Sequence, residues 1–357
     1  MSKHSASTSD KVPAVEPKAA AMATPLPEPL KVALVDLDGQ PVPDWVRASF
    51  VGENLELTIE PCATRDELAR HAAQANVVWL FGGSRILQGN LDVVPRCWAI
   101  VRTGSGTDNV PVEEASRRGI MVANTPAAFS DAVSDHVVAL LFSVLRRVAL
   151  LDRLVRSGHW NQYDAKPLGT VVGRTLGLVG FGHIARLVAR KLSGFEMQLL
   201  VFDPFVDARV IADHGGQPVT LDRLLAESDF VSLHCPLTPQ TKHLISSPQL
   251  RSMKPAAVLI NTSRGPVVDE QALIQALREG WIAGAALDVV EHEPPGADNA
   301  LLHLDNVVLT PHSAGLSASG TELRWRQSIE AVIALSRGRW PASCVNRDRN
   351  VGKNLIE

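Results

Sequence analysis

The stretch Thr175–Leu192, TLGLVGFGHIARLVARKL, constrains this chain most, because a strand, a glycine turn and a helix follow one another in it without a spare residue. TLGLVG is a short apolar run of the kind buried on both faces of a sheet. After the turn, Ile184, Val188 and Leu192 recur at helical spacing with Ala185 and Ala189 beside them, forming one apolar helix face. A buried strand leading directly into an amphipathic helix is half of a βαβ unit, and such units build parallel sheets covered by helices. Gly180-Phe181-Gly182-His183-Ile184-Ala185 also has the spacing of a dinucleotide-binding turn, with Ala in the last glycine's place. On its own it fits a plain glycine turn as well.

The alternation runs through most of the chain. Residues 31–39, 76–83, 97–104 and 120–126 read as buried strands of a first series, with a short helix over 112–119 stopped by Gly119. A second series has strands predicted at 175–180, 198–203, 230–234, 257–263, 284–289 and 306–312, and a helix over 269–280 between an Asp269 cap and a Gly280 stop. Between the series, 130–156 carries one long helical pattern that is apolar on more than one side, as expected of a helix buried between domains or subunits. A further helical pattern lies in 321–340. The 357 residues are enough for about two domains. The predicted class is α/β with two parallel-sheet domains. Residues 1–29 are rich in Ala, Pro, Ser and Thr without an aromatic, and they read as a disordered tail lacking the apolar core of a signal peptide.

Composition narrows the functions. A net charge of -3 offers no basic surface for nucleic acid or an anionic membrane. The richest apolar stretch, 137–145, is far short of the roughly 20 residues a bilayer span needs. Cys62, Cys97, Cys235 and Cys344 are widely separated, which suggests neither a disulfide framework nor a zinc site and makes a reducing cytoplasm the expected setting.

The strand ends carry the chemistry. Asp203 closes the strand after the glycines, where a carboxylate can hold both ribose hydroxyls and repel a 2′-phosphate, so the glycine turn reads as an NAD site. Other strands end in His234-Cys235-Pro236, Arg264, Asp288 and His312. Singly these have bland explanations: a structural histidine, a surface ion pair, a turn cap, a small buried thiol. Glu291-His292-Glu293 sits in a proline-bounded loop with no further ligand set, so no metal site is expected. Together, beside a nicotinamide, they supply a cation for a carboxylate, an acid/base for an oxygen and a carboxylate to tune it.

These residues resemble the D-isomer-specific 2-hydroxyacid dehydrogenase family. The likeness runs through RTGSGTDNV (102–110), GFGHIA, FDP, HCPLTPQTKHLI, MKPAAVLINTSRGPVVDE, GAALDVVEHEP and TPHSAG (310–315), most of the chain after the tail. The resemblance implies that Arg264 binds the substrate carboxylate, that His312 is the proton donor and that Glu293 is its hydrogen-bonded carboxylate. It implies that Asp288 orients the nicotinamide carboxamide. It places Ser105, Gly180, Gly182, His183, Ile184, Asp203, Cys235, Pro236, Thr241 and Thr262 around NAD, and Phe81, Gly82 and Gly104 beside the substrate. It further implies a Rossmann cofactor domain (128–315) inserted into a flavodoxin-like substrate domain split between 30–127 and 316–357. A homodimer built on the 130–156 segment is implied too. Phe81-Gly82 stand where many relatives have Arg-Ser, and no cation is evident at that edge, which speaks against a phosphorylated substrate. The expected activity is hydride transfer between NAD(H) and a small 2-keto or D-2-hydroxy acid. The alternatives are an NADH-sensing scaffold similar to the C-terminal binding protein, which CVNRD (344–348) would also suit, and a phosphoglycerate dehydrogenase.

Overall fold

In the computed structural model the described residues are 28–37, 39, 41–164, 168–349, 351–352 and 355–356, so the expected tail lies almost wholly outside them. Five strands, β1 (Leu30–Val35), β2 (Leu55–Ile59), β3 (Val77–Leu80), β4 (Ala99–Arg102) and β5 (Met121–Ala123), form one sheet in the order β2-β1-β3-β4-β5. Seven more form a second: β6 (Thr175–Val179), β7 (Gln198–Phe202), β8 (Gln217–Pro218), β9 (Phe230–Leu233), β10 (Val258–Asn261), β11 (Gly284–Leu287) and β12 (Val307–Leu309), in the order β12-β11-β10-β9-β6-β7-β8. Every pairing in both sheets is parallel. The first order is flavodoxin-like and the second Rossmann-like, with the chain reversing direction across the sheet between β6 and β9. Ligands bind at the carboxyl ends of strands beside such a reversal.

Burial explains why these segments pair. β3, β6, β9, β10 and β11 are buried at every position, as strands covered on both faces must be. The first sheet has an apolar layer on each face. So does the second. β2 and β8 were not predicted. Both are edge strands: LELTI is only half-buried along its length and QP is exposed, so neither shows the continuous apolar run of the inner strands.

The helical pattern over 130–156 is two helices, Ser130–Leu145 and Val148–Arg156, where one was expected. Arg147 between them takes the left-handed conformation at φ 50°. The first helix sends Val137, Leu140 and Leu141 into the core against Leu176 and Phe181. The second buries nothing, so the charged Arg146-Arg147 pair marks where the chain leaves the core.

The last long helix, Ala318–Ser336, returns to the first sheet. Trp325, Ile329, Val332 and Leu335 join Val32, Trp79 and Val101 in one apolar layer. Trp79 meets Trp325 edge-on at 5.5 Å and donates its indole N–H to Thr103 Oγ1 at 2.7 Å, so its one polar atom is satisfied. In CVNRD, the buried Asn346 accepts from the Val122 amide at 2.9 Å and donates to the Ile120 carbonyl at 3.0 Å, pinning the chain's end beside β5.

Candidate active site

The turn after β6 is shaped by close approach. Gly180 has φ 90°, and a Cβ there would lie 2.9 Å from the backbone of His234 and Cys235, which follow β9. Only glycine lets the two loops at the reversal touch. Gly182 differs: it starts the helix His183–Leu192, no side chain caps that helix, and a Cβ on it would meet nothing within 4 Å. Its N-terminal amides, with their partial positive charge, therefore border open space. Ala185 is fully buried beneath, the small residue that close helix–strand packing requires.

Asp203, at the end of β7, accepts from the Phe181 amide at 2.7 Å and from the Phe205 amide at 2.9 Å. Both its oxygens are thus oriented, one against the glycine turn. Thr262, just past β10, has a buried hydroxyl with no hydrogen-bond partner among the described residues. An orphaned buried hydroxyl, an uncapped helix end and a fixed carboxylate are what a dinucleotide's amide, phosphates and ribose would complete. The residues present fit NAD. Thr241 ties its own loop together, accepting from the Thr238 amide at 2.7 Å and donating to the Pro236 carbonyl. Cys235 is partly buried, and burial first, then Asp203, pushes its thiol up to about 11, so it is neutral. Burial holds His234 down at about 4, neutral as well, with Nε2 against Ser232 Oγ at 2.9 Å.

The second group gathers at the ends of β10, β11 and β12. His312 Nδ1 is 2.6 Å from Glu293 Oε2. That hydrogen bond raises the histidine's pKa, burial works the other way, and the charges of Glu293 and Asp288 add to the rise while that of Arg264 opposes it. His312 is itself left-handed at φ 50°. Asp288 holds the turn around it: the buried carboxylate accepts from Thr310 Oγ1 at 2.6 Å, the Ser313 amide at 2.8 Å and the Ala314 amide at 3.0 Å. Thr310 is in turn 2.9 Å from His136 Nε2. So Asp288, expected from the resemblance to orient a carboxamide, is here engaged by the turn that aims His312.

Arg264 reaches across to the first sheet. Its Nε donates to Asp108 Oδ1 at 2.8 Å, and its guanidinium lies so close to Gly106 that a Cβ there would collide with it. Burial works against a charge on Asp108, but Arg264 outweighs it and holds the carboxyl below its usual range. The next residue, Asn109, donates to the Gly82 carbonyl at 3.3 Å and the Ser84 carbonyl at 3.0 Å, and accepts from Arg102 Nε at 3.0 Å. The loop after β3 is thereby fixed beside the loop after β4. Gly104, at φ 144°, packs against Arg102, and Ser105 is exposed, with its carbonyl accepting from Asn124 at 2.8 Å.

Two expectations change at this edge. Phe81 is buried and stacks on Trp325, ring centres 4.1 Å apart, so its side chain belongs to the core and the loop's backbone borders the site. The edge also has cations: Arg102 donates to the Phe81 carbonyl at 3.2 Å, and the Arg324 guanidinium lies 4.2 Å over the Phe81 ring. Asp108 and Asn109 were missed as site residues. Asp108 and Asn109 stand in the quoted RTGSGTDNV, but nothing local says that they reach Arg264 or the β3 loop. No trio of His, Cys, Asp or Glu side chains able to hold a metal occurs among the described residues, and no helix among them is long and apolar enough to cross a membrane.

A Rossmann sheet with an open helix end at its reversal, and a cation beside a carboxylate–histidine pair, define a dinucleotide-dependent oxidoreductase. Residues 138–314 match the family described as D-isomer specific 2-hydroxyacid dehydrogenase, NAD binding domain. The glyoxylate reductase of Korarchaeum cryptofilum is 45% identical over 260 residues, 72% of this chain and 78% of that protein. Among solved structures, a glyoxylate reductase from Paecilomyes thermophila superposes with a TM-score of 0.81 at 26% identity, over 90% of this chain and 100% of that one. D-lactate dehydrogenase from Aquifex aeolicus, complexed with NAD and lactic acid, superposes at 0.78 with 28% identity, over 86% and 96%. The chain belongs to the D-isomer-specific 2-hydroxyacid dehydrogenase family. It is an NAD-dependent oxidoreductase, and the comparisons favour neither the scaffold nor the phosphoglycerate dehydrogenase alternative.

Proposed function

We propose that this enzyme reduces glyoxylate and comparably small 2-keto acids with NADH. The observation that carries the reading is the 2.6 Å His312–Glu293 pair gathered with an arginine that Asp108 holds in place. Bound NADH supplies the hydride. Arg264 holds the substrate carboxylate and polarises the keto oxygen. His312, kept protonated by Glu293, gives that oxygen its proton. The relatives named glyoxylate reductase support the small substrate. Asp203 supports NADH over NADPH, because its charge meets ribose hydroxyls favourably and a phosphate unfavourably. Spectrophotometric NADH oxidation across a panel of 2-keto acids tests the proposal. Turnover of glyoxylate is expected, and 3-phosphohydroxypyruvate should be a poorer substrate, in keeping with the relatives named glyoxylate reductase.

The same reading divides the chain into a substrate part (30–127 with 316–357) and an inserted NAD part (128–315), supported by the return of the last helix to the first sheet. A homodimer is supported by exposed apolar side chains in and just after the helix Val148–Arg156: Val148, Val155, Trp160 and Tyr163. Light scattering giving a monomer's mass at micromolar concentration would remove it. A cytoplasmic setting suits the four free cysteines.

A further inference from the structure

The loop that carries Glu293 is tied down by a second pair of carboxylates. Glu270 is buried, and each of its oxygens has a donor: the Glu291 amide gives to Oε2 at 2.8 Å and Asn299 Nδ2 to Oε1 at 2.8 Å. The exchange is reciprocal, because the Glu270 amide gives to Glu291 Oε2 at 3.3 Å. The other oxygen of Glu291 lies 2.8 Å from His243 Nε2. These ties reach both catalytic groups. Val290, just before Glu291, donates its amide to Glu293 Oε1 at 3.2 Å, while His312 holds Oε2 at 2.6 Å. The peptide between Val290 and Glu291 lies flat against Gly265, where a Cβ would come within 1.8 Å of the Val290 oxygen and 2.6 Å of the Glu291 nitrogen. Gly265 follows Arg264 directly, so the N–H that Glu270 holds belongs to the peptide on which the arginine's turn rests. The His243 amide gives to the Pro266 carbonyl at 2.8 Å, which returns the circuit to that turn.

We propose that Glu270 is a positioning residue for the reaction: it fixes the Val290–Glu291 peptide, and through that peptide aligns Glu293 on His312 and seats the turn of Arg264. The proposal rests on the keto-acid reductase reading and adds a residue to its catalytic alignment. Three points support it. Burying a carboxylate is costly even when its oxygens are paired, and an apolar side chain would fill the space at less cost. Glu270 is not needed as a helix cap, since Asp269 caps the helix Glu270–Glu279 by accepting from the Ala272 amide at 3.1 Å. Lastly, a carboxylate that accepts from two fixed donors sets direction as well as distance, and the peptide it holds touches the supports of both Glu293 and Arg264.

Two variants of the full chain separate the reach of this side chain from its charge. Glu270→Asp keeps the charge and withdraws the carboxylate by one methylene. Glu270→Gln keeps the reach, and an oxygen for the Glu291 amide, but removes the charge. The His312 imidazole is titrated by NMR, its signal assigned by its loss in His312→Gln, and glyoxylate reduction by NADH is followed over the same pH range. The charges that act on His312 are those of Glu293, Arg264 and Asp288, so Glu270 reaches it through position. Glu270→Asp should lower the His312 pKa and move the decline of reductive kcat/KM to lower pH. It should also cost about 10–100-fold in kcat, the scale of a small misalignment, with NADH affinity retained. Glu270→Gln should show only a small part of each change. A shift in Glu270→Gln as large as that in Glu270→Asp would mark an effect of charge and overturn the proposal. So would parent-like titration of His312 in both variants, which would mark a purely structural role. Should Glu270→Asp not fold, Asn299→Ala carries the test by removing one donor to the Glu270 carboxylate. Smaller changes in the same directions support the proposal there, and parent values overturn it. A parent that turns over no 2-keto acid would remove the reductase reading, while the His312 titration still decides whether Glu270 aligns Glu293.

Discussion

At His312 two influences oppose each other. Burial favours the neutral ring, and the hydrogen bond to Glu293 favours the imidazolium; the hydrogen bond prevails, so the folded histidine titrates above its ordinary value. Reduction needs the protonated form, and it should persist to a higher pH than a free imidazole would allow. Glu293→Gln keeps the shape and removes the charge. The His312 pKa should then fall, and reductive kcat/KM should decline at a lower pH than in the parent. The rising limb of the oxidative reaction should also move to lower pH. Paired pH–rate profiles check this, and limbs that coincide or move upward would show the pairing to be wrong. Asp203 gives a second test at this scale. Titrating the enzyme with NADH and NADPH should show clear preference for NADH, narrowed in Asp203→Ser; equal affinities in the unaltered enzyme would contradict the assignment. His312, Arg264 and Asp203 could be picked out because each stands just past a strand inside a distinctive local string, whereas Glu293, in a proline-bounded loop, was singled out as the partner of His312 only through the resemblance. Phe81 was expected beside the substrate and is instead in the core, because its stacking on Trp325 joins residues 244 apart in sequence.

Among the elements, the glycine turn separates two roles that look alike in sequence. Gly180 is required by the fold: φ 90° and the backbone of the β9 loop at 2.9 Å leave no room for a methyl. Gly182 is at an ordinary φ of -75°, with open space beside it. Gly180→Ala should therefore destabilise the protein by about 1–3 kcal/mol, seen as a lower Tm. Gly182→Ala should leave thermal unfolding nearly unchanged, within about 0.5 kcal/mol, yet weaken NADH, because the added methyl enters the space the pyrophosphate needs. If Gly182→Ala binds NADH as tightly as the parent, the helix end is not the phosphate site. Inner strands were readable from unbroken apolar runs. β2 and β8 were not, since an edge strand buries too little to leave that mark. The break at Arg147 was also hidden, because the apolar pattern continues through it while the backbone turns left-handed.

At the level of the whole molecule, the site exists only where the two sheets meet. Arg264, Glu293 and His312 hang from the second sheet, and Asp108 and the Gly82 loop from the first. Sequence order separates these parts by up to 230 residues, from Gly82 to His312, so pattern reading could place each on its element but could not say which would touch. The two-sheet architecture itself was legible, since repeated strand–helix alternation admits few other solutions. The central claim is that this assembly reduces small 2-keto acids with His312 as proton donor. Its most direct test is NADH oxidation with glyoxylate by the parent and by His312→Ala, with NADH affinity measured alongside. The account predicts turnover by the parent, a loss of about 10²–10⁴ in kcat/KM for the variant, and NADH binding that is largely retained. A parent that oxidises no NADH with glyoxylate, or a His312→Ala variant as active as the parent, would contradict it.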